Sequence, residues 1–290
     1  MNIHRLLKTL FYPSQLTAEA GGAIIRKALQ DTKPLMVARF GSVEIKGVLY
    51  QRLPKIIRPF VKEKVFAPMS NNAGFFPVSD KAIQEFSNLM IEDMKQLDVL
   101  GSWRIEEKFL LKYFPNAKRV GLRALESYLS ENPWTEMLEG LKVLVIHPFN
   151  TTIERQYHEK RELLFEDKRI LPRFKSLETV EAVQTIAGNK GEFDNWFEAL
   201  DSMKSAIDSK DYDVAIIGCG AYGFPLAAHV KRNGKKAIHL GGATQILFGI
   251  KGRRWDDHPL ISPLYNEYWV RPAPEDVPSD ANKVENGCYW

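Results

Sequence analysis

A glycine-rich turn between two predicted elements could bind phosphate. Gly218, Gly220 and Gly223 form a G-x-G-x-x-G pattern that follows the apolar run DVAIIG and precedes a helix-like run. Glycines in this pattern allow a tight turn and let backbone N–H groups approach a phosphate closely. We therefore expect Gly218, Gly220 and Gly223 to contact a phosphorylated ligand. Glycines needed only for packing a helix against a strand would give the same pattern.

The dinucleotide interpretation of this turn makes a further demand. An NAD site needs an acidic residue about 20 positions later, at the end of the next strand, to bind the ribose hydroxyls. That strand ends in HLGG, residues 239–242, without an acid. We therefore expect no NAD. An NADP site could use Arg253 and Arg254, but these lie beyond the expected place. A nucleotide diphosphate needs only the glycines, polar groups and a cation.

A second glycine pair follows another predicted strand. Gly241 and Gly242 open a loop, and the basic cluster Lys251, Arg253 and Arg254 comes soon after it. Such a cluster usually belongs to a solvated surface. Two glycine-rich strand ends with cations nearby nevertheless favour a phosphate site, and we predict that Gly241, Gly242, Arg253 and Arg254 bind a phosphorylated ligand.

The motif ARFGSVE places a cation and a carboxylate after a predicted strand. Arg39 suits a pyrophosphate or a carboxylate, and Gly41 and Ser42 lie between it and Glu44. Glu44 could bind a divalent metal or accept a proton. In a purely structural alternative, Ser42 is a helix N-cap and Glu44 complements the helix dipole.

A histidine ends the predicted strand KVLVIHP. The sequence continues with Asn150 and Thr151, and the pattern from Thr151 to Glu154 is that of a capping box. Because the free N–H groups of a helix start attract anions, we expect an anion site there, with His147 and Asn150 beside it. A structural role for His147 is the alternative.

The loop MSNNAGFFPVSD combines amides with aromatic rings. Asn71, Asn72 and Phe75 suit a sugar acceptor, because apolar ring faces stack on aromatic rings and hydroxyls bind amides. In the alternative interpretation, Phe75 and Phe76 are buried in the core.

The segment QRLPKIIRPFVKEKVF, residues 51–66, mixes basic and apolar side chains. A helix that packs its apolar side on the core and exposes its basic side to solvent has this composition. A segment that touches an anionic membrane carrying a lipid-linked acceptor has it as well.

Short apolar runs alternate with longer amphipathic runs along the chain. Strands are predicted at 35–40, 98–102, 119–122, 142–148, 174–180, 213–218 and 236–241. Helices are predicted at 43–50, 79–95, 104–114, 123–130, 152–165, 192–209 and 223–233. This alternation predicts a doubly wound, Rossmann-like α/β fold with a mainly parallel sheet covered on both faces. The ligand of such a sheet binds beyond the carboxyl ends of its strands, where these motifs lie.

The bulk composition agrees with one α/β domain. The chain has 290 residues, of which 44% are hydrophobic and 26% charged, and its net charge is +4. We predict a single domain over 1–290, with an irregular C-terminal strap at about 256–290, where Pro and aromatic residues are frequent. The mild positive charge fits a polyanionic small ligand and does not require nucleic acid.

The cysteines and the apolar segments do not indicate export. Cys219 and Cys288 show neither metal-ligand spacing nor a disulfide framework. No run reaches the roughly 20 apolar residues that span a bilayer, and the N-terminus lacks a signal-peptide pattern. We expect a cytoplasmic protein that touches the inner face of the membrane at most peripherally.

Taken together, the motifs resemble the bacterial glycosyltransferases of the GT-D fold. The resemblance runs from about residue 30 to the end and rests on ARFGSVE, NNAGFFP, HPF with TIERQY, GCGAYGFPLAAHVKRNGKKAIHLGGATQILFGIKGRRW and NEYWVRP. It implies a nucleotide-sugar donor such as UDP-glucose, a carbohydrate acceptor in polysaccharide or glycoprotein glycan synthesis, and a single Rossmann-like domain.

The resemblance also raises the question of a metal. In characterised members, the first motif reads R-[FY]-G-D-G-E, and its Asp-x-Glu pair helps hold a divalent cation on the donor diphosphate. Arg39, Gly41 and Glu44 match this motif, whereas Ser42 stands in the place of the aspartate. The resemblance thus implies Mn²⁺ or Mg²⁺ at Glu44, but one carboxylate and a hydroxyl make a poorer site than two carboxylates.

The sequence favours a glycosyltransferase that moves a sugar from a nucleotide sugar to a glycan or lipid-linked glycan. We predict Glu44 as metal ligand or general base, His147 as the other candidate base, and Tyr222 as a ring that stacks on the donor. Two alternatives remain. A non-catalytic nucleotide-sugar-binding or assembly protein is favoured by Ser42, and an NADP-dependent oxidoreductase is disfavoured by the missing ribose acid.

Overall fold

The computed structural model describes residues 17–185, 191–277 and 287–290, and a seven-stranded sheet forms their centre. The strand order is β3-β2-β1-β7-β6-β4-β5, and every neighbouring pair is parallel. The strands are β1 Leu35–Ala38, β2 Val99–Ser102, β3 Lys118–Gly121, β4 Lys142–His147, β5 Ser176–Glu181, β6 Val214–Ile217 and β7 Lys236–His239. All seven predicted strands are confirmed, with ends that differ by one or two residues.

The continuous apolar runs become strands that are buried on both faces. In β1, Met36 and Ala38 pack into one hydrophobic cluster, whereas Leu35 and Val37 pack into the other. Side chains alternate between the two faces of a strand, so a strand in the middle of the sheet must be apolar at every position. This pattern confirms the prediction of a Rossmann-like α/β fold with both faces covered.

Helices cover both faces of the sheet. The helices are α1 Ala18–Gln30, α2 Ser42–Tyr50, α3 Arg58–Asn71, α4 Asp80–Met94, α5 Asn150–Leu164, α6 Trp196–Asp208, α7 Gly223–Arg232, α8 Ala243–Leu247 and α9 Arg253–Asp256. Helices α2, α3, α4, α6 and α7 pack into one cluster, and α1, α5 and α8 pack into the other. The structure describes no helix that is long and apolar enough to cross a membrane.

Two predicted helices form differently in the structure. The segments 104–114 and 123–130 consist of short 3₁₀ turns, at Ile105–Phe109, Leu111–Tyr113, Leu122–Leu125 and Ser127–Leu129. Helix α1 was not predicted from the sequence. Its N-cap is Thr17, whose hydroxyl accepts a hydrogen bond from the Ala20 N–H group at 3.1 Å.

The strand order brings four strand ends together. The chain extends the sheet from β1 to β3 in one direction and then places β4 and β5 on the opposite side. Strands β6 and β7 fill the gap between β4 and β1. In an open α/β sheet, the crevice at such a reversal is where ligands bind. The carboxyl ends of β1, β7, β6 and β4 therefore define the candidate site.

The segment after α9 packs irregularly along α5. The Gln156 side chain donates to the Tyr268 carbonyl at 3.1 Å, and the Trp269 indole donates to the Leu164 carbonyl at 3.0 Å. One isolated bridge pairs Ile250 with Val270. The described strands all belong to one sheet, and a single domain over 1–290 stays a prediction.

Candidate functional site

A cleft of about 210 Å³ lies beyond the carboxyl ends of β1, β7, β6 and β4. It brings together residues from motifs that are up to 215 positions apart in the sequence. The predicted site residues that line it are Arg39, Gly41, Ser42, Glu44, Asn72, His147, Gly218, Gly220, Tyr222, Gly241, Gly242 and Arg254. The predicted site residues that do not line it are Asn71, Phe75, Asn150, Thr151, Gly223 and Arg253.

The N-terminus of α2 forms one wall of the cleft. Gly41 is its N-cap and offers no side-chain cap, so the alternative in which Ser42 caps the helix is wrong by one residue. The first N–H groups of a helix have no acceptor within it. The Glu44 carboxylate folds back over Gly41, where an added Cβ would stand 1.8 Å from Oε2. A side chain at position 41 would displace that carboxylate from its place over the N-terminus of α2.

Arg39 lies at the base of the same wall. Burial lowers the pKa of its guanidinium from the ordinary value, and the Glu44 carboxylate opposes that shift. The group still stays protonated, because the ordinary pKa of arginine is above 12. Its buried Nε atom has no hydrogen-bond partner among the described residues. A half-buried arginine that lines a cleft is suited to bind an anion.

A tryptophan that sequence reasoning missed supports Arg39. The guanidinium lies over the Trp103 ring, 4.8 Å from its centroid. The Trp103 indole donates to the Phe40 carbonyl at 2.9 Å. The buried Glu107 carboxylate accepts from the Trp103 N–H at 3.1 Å and from the Ser102 hydroxyl. Trp103 directly follows a predicted strand, so its place at a strand end was the available signal.

The glycine turn after β6 offers backbone N–H groups to the cleft. Gly220 has a positive φ of 54° and begins a 3₁₀ turn at the N-terminal side of α7. Its N–H group and that of Ala221 stand in a first helical turn, where the helix supplies no acceptor. The Gly218 N–H group is already used, since it donates to the Ile146 carbonyl at 2.9 Å. The 3₁₀ turn therefore offers the amides that can reach a ligand.

Gly223 is a packing residue, and its prediction as a donor-binding residue is corrected. A Cβ at this position would stand 2.2 Å from Cε1 and 2.4 Å from Nδ1 of His239. The His239 ring lies buried at the end of β7, and its Nδ1 is 3.2 Å from the Ile217 carbonyl. The third glycine thus lets α7 approach β7, which was the structural alternative for this motif.

Tyr222 does not offer a free face to a ligand. Its ring is only 2% exposed and stacks on Trp196, with 4.8 Å between the ring centroids and 8° between the ring planes. Its hydroxyl hydrogen-bonds with the Thr185 hydroxyl at 2.8 Å. The predicted stacking of Tyr222 on the donor is therefore wrong. The residue contributes to the wall of the cleft from within the core.

His147 lines the cleft as a neutral hydrogen-bond donor. Its Nδ1 accepts from the Phe149 N–H group at 3.0 Å, so the neutral ring carries its proton on Nε2. Complete burial lowers the pKa of His147 to about 3. A ring with its accessible nitrogen already protonated cannot accept a proton there. Its prediction as a general base is corrected to that of a donor.

The start of α5 is already occupied by a carboxylate of the protein. Asp276 accepts hydrogen bonds from the Thr152 N–H group at 3.3 Å and from the Thr152 hydroxyl. Helix α5 has no side-chain cap from its N-cap residue, so the predicted capping box is wrong. Asn150 and Thr151 therefore do not form the predicted donor site, because Asp276 takes the place of the expected anion.

The predicted acceptor residues separate into three environments. Asn72 lines the cleft, and Asn71 is exposed at the end of α3. Phe75 is fully buried, and its ring packs against Phe86 and Trp196 with centroid distances of 5.2 and 5.3 Å. Phe75 is therefore a core residue and cannot stack on a sugar. This agrees with the alternative interpretation, in which Phe75 is buried in the core.

The two neighbouring arginines also separate. Arg253 is exposed and does not line the cleft, so its prediction as a donor-binding residue is corrected. Arg254 lines the cleft, and its guanidinium lies 5.3 Å from the Trp255 ring and 5.0 Å from the Tyr289 ring. Successive residues of a helix point in different directions, which no count of basic residues in the sequence reveals.

The C-terminal residues complete the cleft. Tyr289 and Trp290 line it, and the Gln245 amide donates to the Tyr289 carbonyl at 3.1 Å. The buried Oε1 atoms of Gln184 and Gln245, which both line the cleft, have no hydrogen-bond partner among the described residues. Sequence reasoning missed all four residues, because nothing in the local pattern links residues 184, 245 and 289–290.

The charges in the cleft favour an anion over a metal ion. The charged side chains that line it are Arg39, Arg254 and Glu44. The described residues contain no group of three His, Cys, Asp or Glu side chains that could hold a metal ion. Mn²⁺ and Mg²⁺ need several oxygen ligands, and here a single carboxylate lies close to a guanidinium. These residues do not fit the divalent cation that the motif resemblance implies.

Comparisons with known proteins add little. No protein-family model matches the chain, and no curated protein matches it. One solved structure, described as the selenomethionine-substituted structure of domain of unknown function 1792, is similar with a TM-score of 0.45. The two share 11% identical residues over 83% of each chain. The sheet order and the cleft themselves define this chain as a Rossmann-like α/β protein with a cationic site at the strand ends.

Proposed function

We propose that this protein is a glycosyltransferase that binds the diphosphate of a nucleotide sugar in the cleft. The observation that carries the proposal is the half-buried Arg39, which lines the cleft beside the N-terminus of α2. Arg254 adds a second positive charge, and the 3₁₀ turn after β6 adds backbone N–H groups. Preorganised donors of this kind stabilise the negative charge that develops on a departing diphosphate.

The size and the lining of the cleft support a ligand that extends beyond it. A volume of about 210 Å³ is below the roughly 300–1,000 Å³ of sites that enclose drug-sized ligands. The diphosphate would occupy the cleft, and the base and sugar would reach its rim, where Trp103, Tyr289 and Trp290 offer aromatic surface. The motif resemblance described above supports a UDP-sugar donor and a glycan or lipid-linked glycan acceptor in the cytoplasm.

The acceptor hydroxyl needs a proton acceptor during transfer. Among the described residues that line the cleft, Glu44 is the carboxylate, and His147 carries its proton on the accessible nitrogen. We assign the base to Glu44 and a hydrogen bond to the substrate to His147. A base qualifies only when it reaches the proton it removes, at about 2.6–3.2 Å between heavy atoms.

A non-catalytic nucleotide-sugar-binding protein is the second candidate. One observation favours it. The Glu44 carboxylate lies folded over Gly41 and acts electrostatically on Arg39. A carboxylate used in this way positions a guanidinium and need not take a proton. Both candidates bind the same ligand, and a transfer assay separates them.

Titration calorimetry with UDP-, GDP-, CMP- and dTDP-sugars, each with and without Mn²⁺, tests the proposal. NADP serves as the probe for the oxidoreductase alternative. We expect a metal-independent signal with one of the diphosphate sugars. Arg254→Met should weaken it at least about tenfold, because a charged hydrogen bond contributes about 1.5–3 kcal/mol. Arg253→Met is the matched control, since it removes the same charge from the neighbouring residue outside the cleft.

The outcomes separate the hypotheses. Binding followed by release of the nucleoside diphosphate in the presence of oligosaccharides supports transfer. Binding without transfer or hydrolysis supports the second candidate. A signal with NADP alone, or equal losses in Arg254→Met and Arg253→Met, refutes a nucleotide-sugar site in this cleft.

A further inference from the structure

Large apolar side chains project from the surface at the start of α3, away from the cleft. Ile56 is 79% exposed, Phe60 is 81% exposed, and Ile57 between them is 42% exposed. Single exposed apolar residues are common on proteins, but a group of them marks an interaction surface. The side chains of Ile56 and Phe60 are too exposed to belong to a segment that only covers the core.

The loop that carries these side chains is held in place. The Arg58 guanidinium donates to the Leu53 carbonyl at 3.1 Å, to the Gln51 side chain at 2.9 Å and to the Gln51 carbonyl at 2.8 Å. These hydrogen bonds close the turn that leads into α3. Ile56 therefore projects from a turn that hydrogen bonds hold in place, and Phe60 projects from the first turn of α3.

A second pair of exposed apolar side chains lies in the neighbouring 3₁₀ segment. Phe109 is 61% exposed, and Ile105 is 40% exposed. The loop before α3 touches the 3₁₀ turn that follows this segment, because the Arg52 guanidinium lies 4.9 Å from the centroid of the Tyr113 ring. We call this surface the apolar-basic face, and its apolar members are Ile56, Ile57, Phe60, Ile105 and Phe109.

The charges around these side chains are mostly positive. The exposed cations of the apolar-basic face are Arg52, Lys55, Lys64, Lys108 and Lys112. The acidic residues nearby are Glu63 and Glu106, and the Glu106 carboxylate forms an ion pair with Arg104 at 2.6 Å. Lysine is depleted in protein–protein interfaces. Segments that lie in a membrane interface combine lysine with phenylalanine and aliphatic residues.

We propose that the apolar-basic face docks on an anionic lipid bilayer. The apolar side chains enter the boundary between headgroups and acyl chains, and the lysines contact the anionic headgroups. The position of α3 relates this surface to the cleft. From Phe60 to Asn72, which lines the cleft, the helix rises by about 18 Å at about 1.5 Å per residue. If the proposed function holds, the docked membrane surface lies about 18 Å from the cleft, which places a membrane-anchored acceptor near the site.

Vesicle co-sedimentation with the full chain tests the proposal. The probes are vesicles of phosphatidylcholine alone and vesicles of phosphatidylcholine with phosphatidylglycerol. We expect binding only to the anionic vesicles and loss of binding at high salt. Ile56→Ser with Phe60→Ser should lower the partition coefficient at least about tenfold. Lys55→Gln with Lys64→Gln should lower it about fivefold per lysine.

The matched control is Leu163→Ser with Leu260→Ser, which changes two side chains that are 43% and 40% exposed elsewhere on the surface. This pair should leave vesicle binding unchanged. Both lysines of the other pair are exposed, so their substitution retains the fold even where the apolar pair lowers stability. No binding to anionic vesicles, or equal losses in the control pair, overturns the proposal.

A loss of self-association in light scattering, without an effect on vesicle binding, also overturns the proposal in favour of a second copy of the chain. Nucleotide-sugar binding by the same variants is measured separately by calorimetry. Failure of the proposed function therefore leaves the membrane result unaffected.

Discussion

Gly223→Ala tests whether the third glycine of the turn serves packing or ligand binding. The added Cβ would stand 2.2, 2.4 and 3.0 Å from three atoms of the His239 ring, whereas carbon atoms in contact are normally about 3.5–4.0 Å apart. The ring must therefore move by more than an ångström. It is only 3% exposed, so it has no free space to enter.

The expected loss of stability follows from these distances. Overpacking a core costs about 1–3 kcal/mol. Displacing the ring also breaks the contact between its Nδ1 and the Ile217 carbonyl, and a buried unpaired group costs about 1–3 kcal/mol. Alanine recovers about 0.5–1 kcal/mol of helix propensity. We expect a net decrease of about 2–4 kcal/mol in the free energy of unfolding, or roughly 3–7 °C in Tm for a chain of 290 residues.

Urea and thermal unfolding measure this effect, with Gly22→Ala as the matched control. Gly22 also lies in a helix, and its nearest contact with an added Cβ is 3.8 Å from the Ser130 hydroxyl. That variant should be slightly more stable than the wild type. In a double-mutant cycle, His239→Ala should reduce the cost of Gly223→Ala by about 1–3 kcal/mol. Unchanged stability of Gly223→Ala with lost nucleotide affinity would refute the packing argument.

Other variants test the site and the core. Glu44→Gln should abolish sugar transfer without weakening nucleotide binding, because it removes a negative charge from the cleft, and an intact transfer rate contradicts the assignment of the base. Glu107→Gln should lower the free energy of unfolding by about 1–3 kcal/mol and nucleotide affinity about tenfold, because Trp103 is less firmly held against Arg39; calorimetry that shows full affinity would limit Glu107 to a structural role. Burial raises the pKa of Asp93 from 3.8 to about 6 despite its ion pair, so the folded state binds this proton more tightly than the unfolded state. The urea midpoint should therefore decrease as the pH rises from about 4 to about 6, and this decrease should be absent in Asp93→Asn.

The strands could be predicted because their apolar runs are buried on both faces. In β4, every residue of VLVIH is buried, so the pattern did not depend on knowing the neighbouring strands. The segments 104–114 and 123–130 have helical composition but form 3₁₀ turns. Buried contacts determine whether such short segments form α-helices or 3₁₀ turns. One example is the Glu107 carboxylate, which accepts hydrogen bonds from the backbone N–H groups of residues 103 and 104.

The candidate site was only partly predictable. Arg39, Gly220 and Gly241 follow strands, so the rule about strand ends found them. Phe75 satisfied the composition of a sugar site, but packing against Phe86 and Trp196 determines its role.

The sequence by itself determined where the seven strands lie and which strand ends carry polar residues, because both depend on local patterns. The tertiary structure alone decided which polar groups share the cleft. It turned Arg254 toward the site and Arg253 toward solvent, and it placed Asp276 at the start of α5, 124 residues from its partner Thr152. It also enclosed His147 and fixed its proton on Nε2. These outcomes depend on contacts between distant segments, and hydrogen bonding and burial in the folded chain set them.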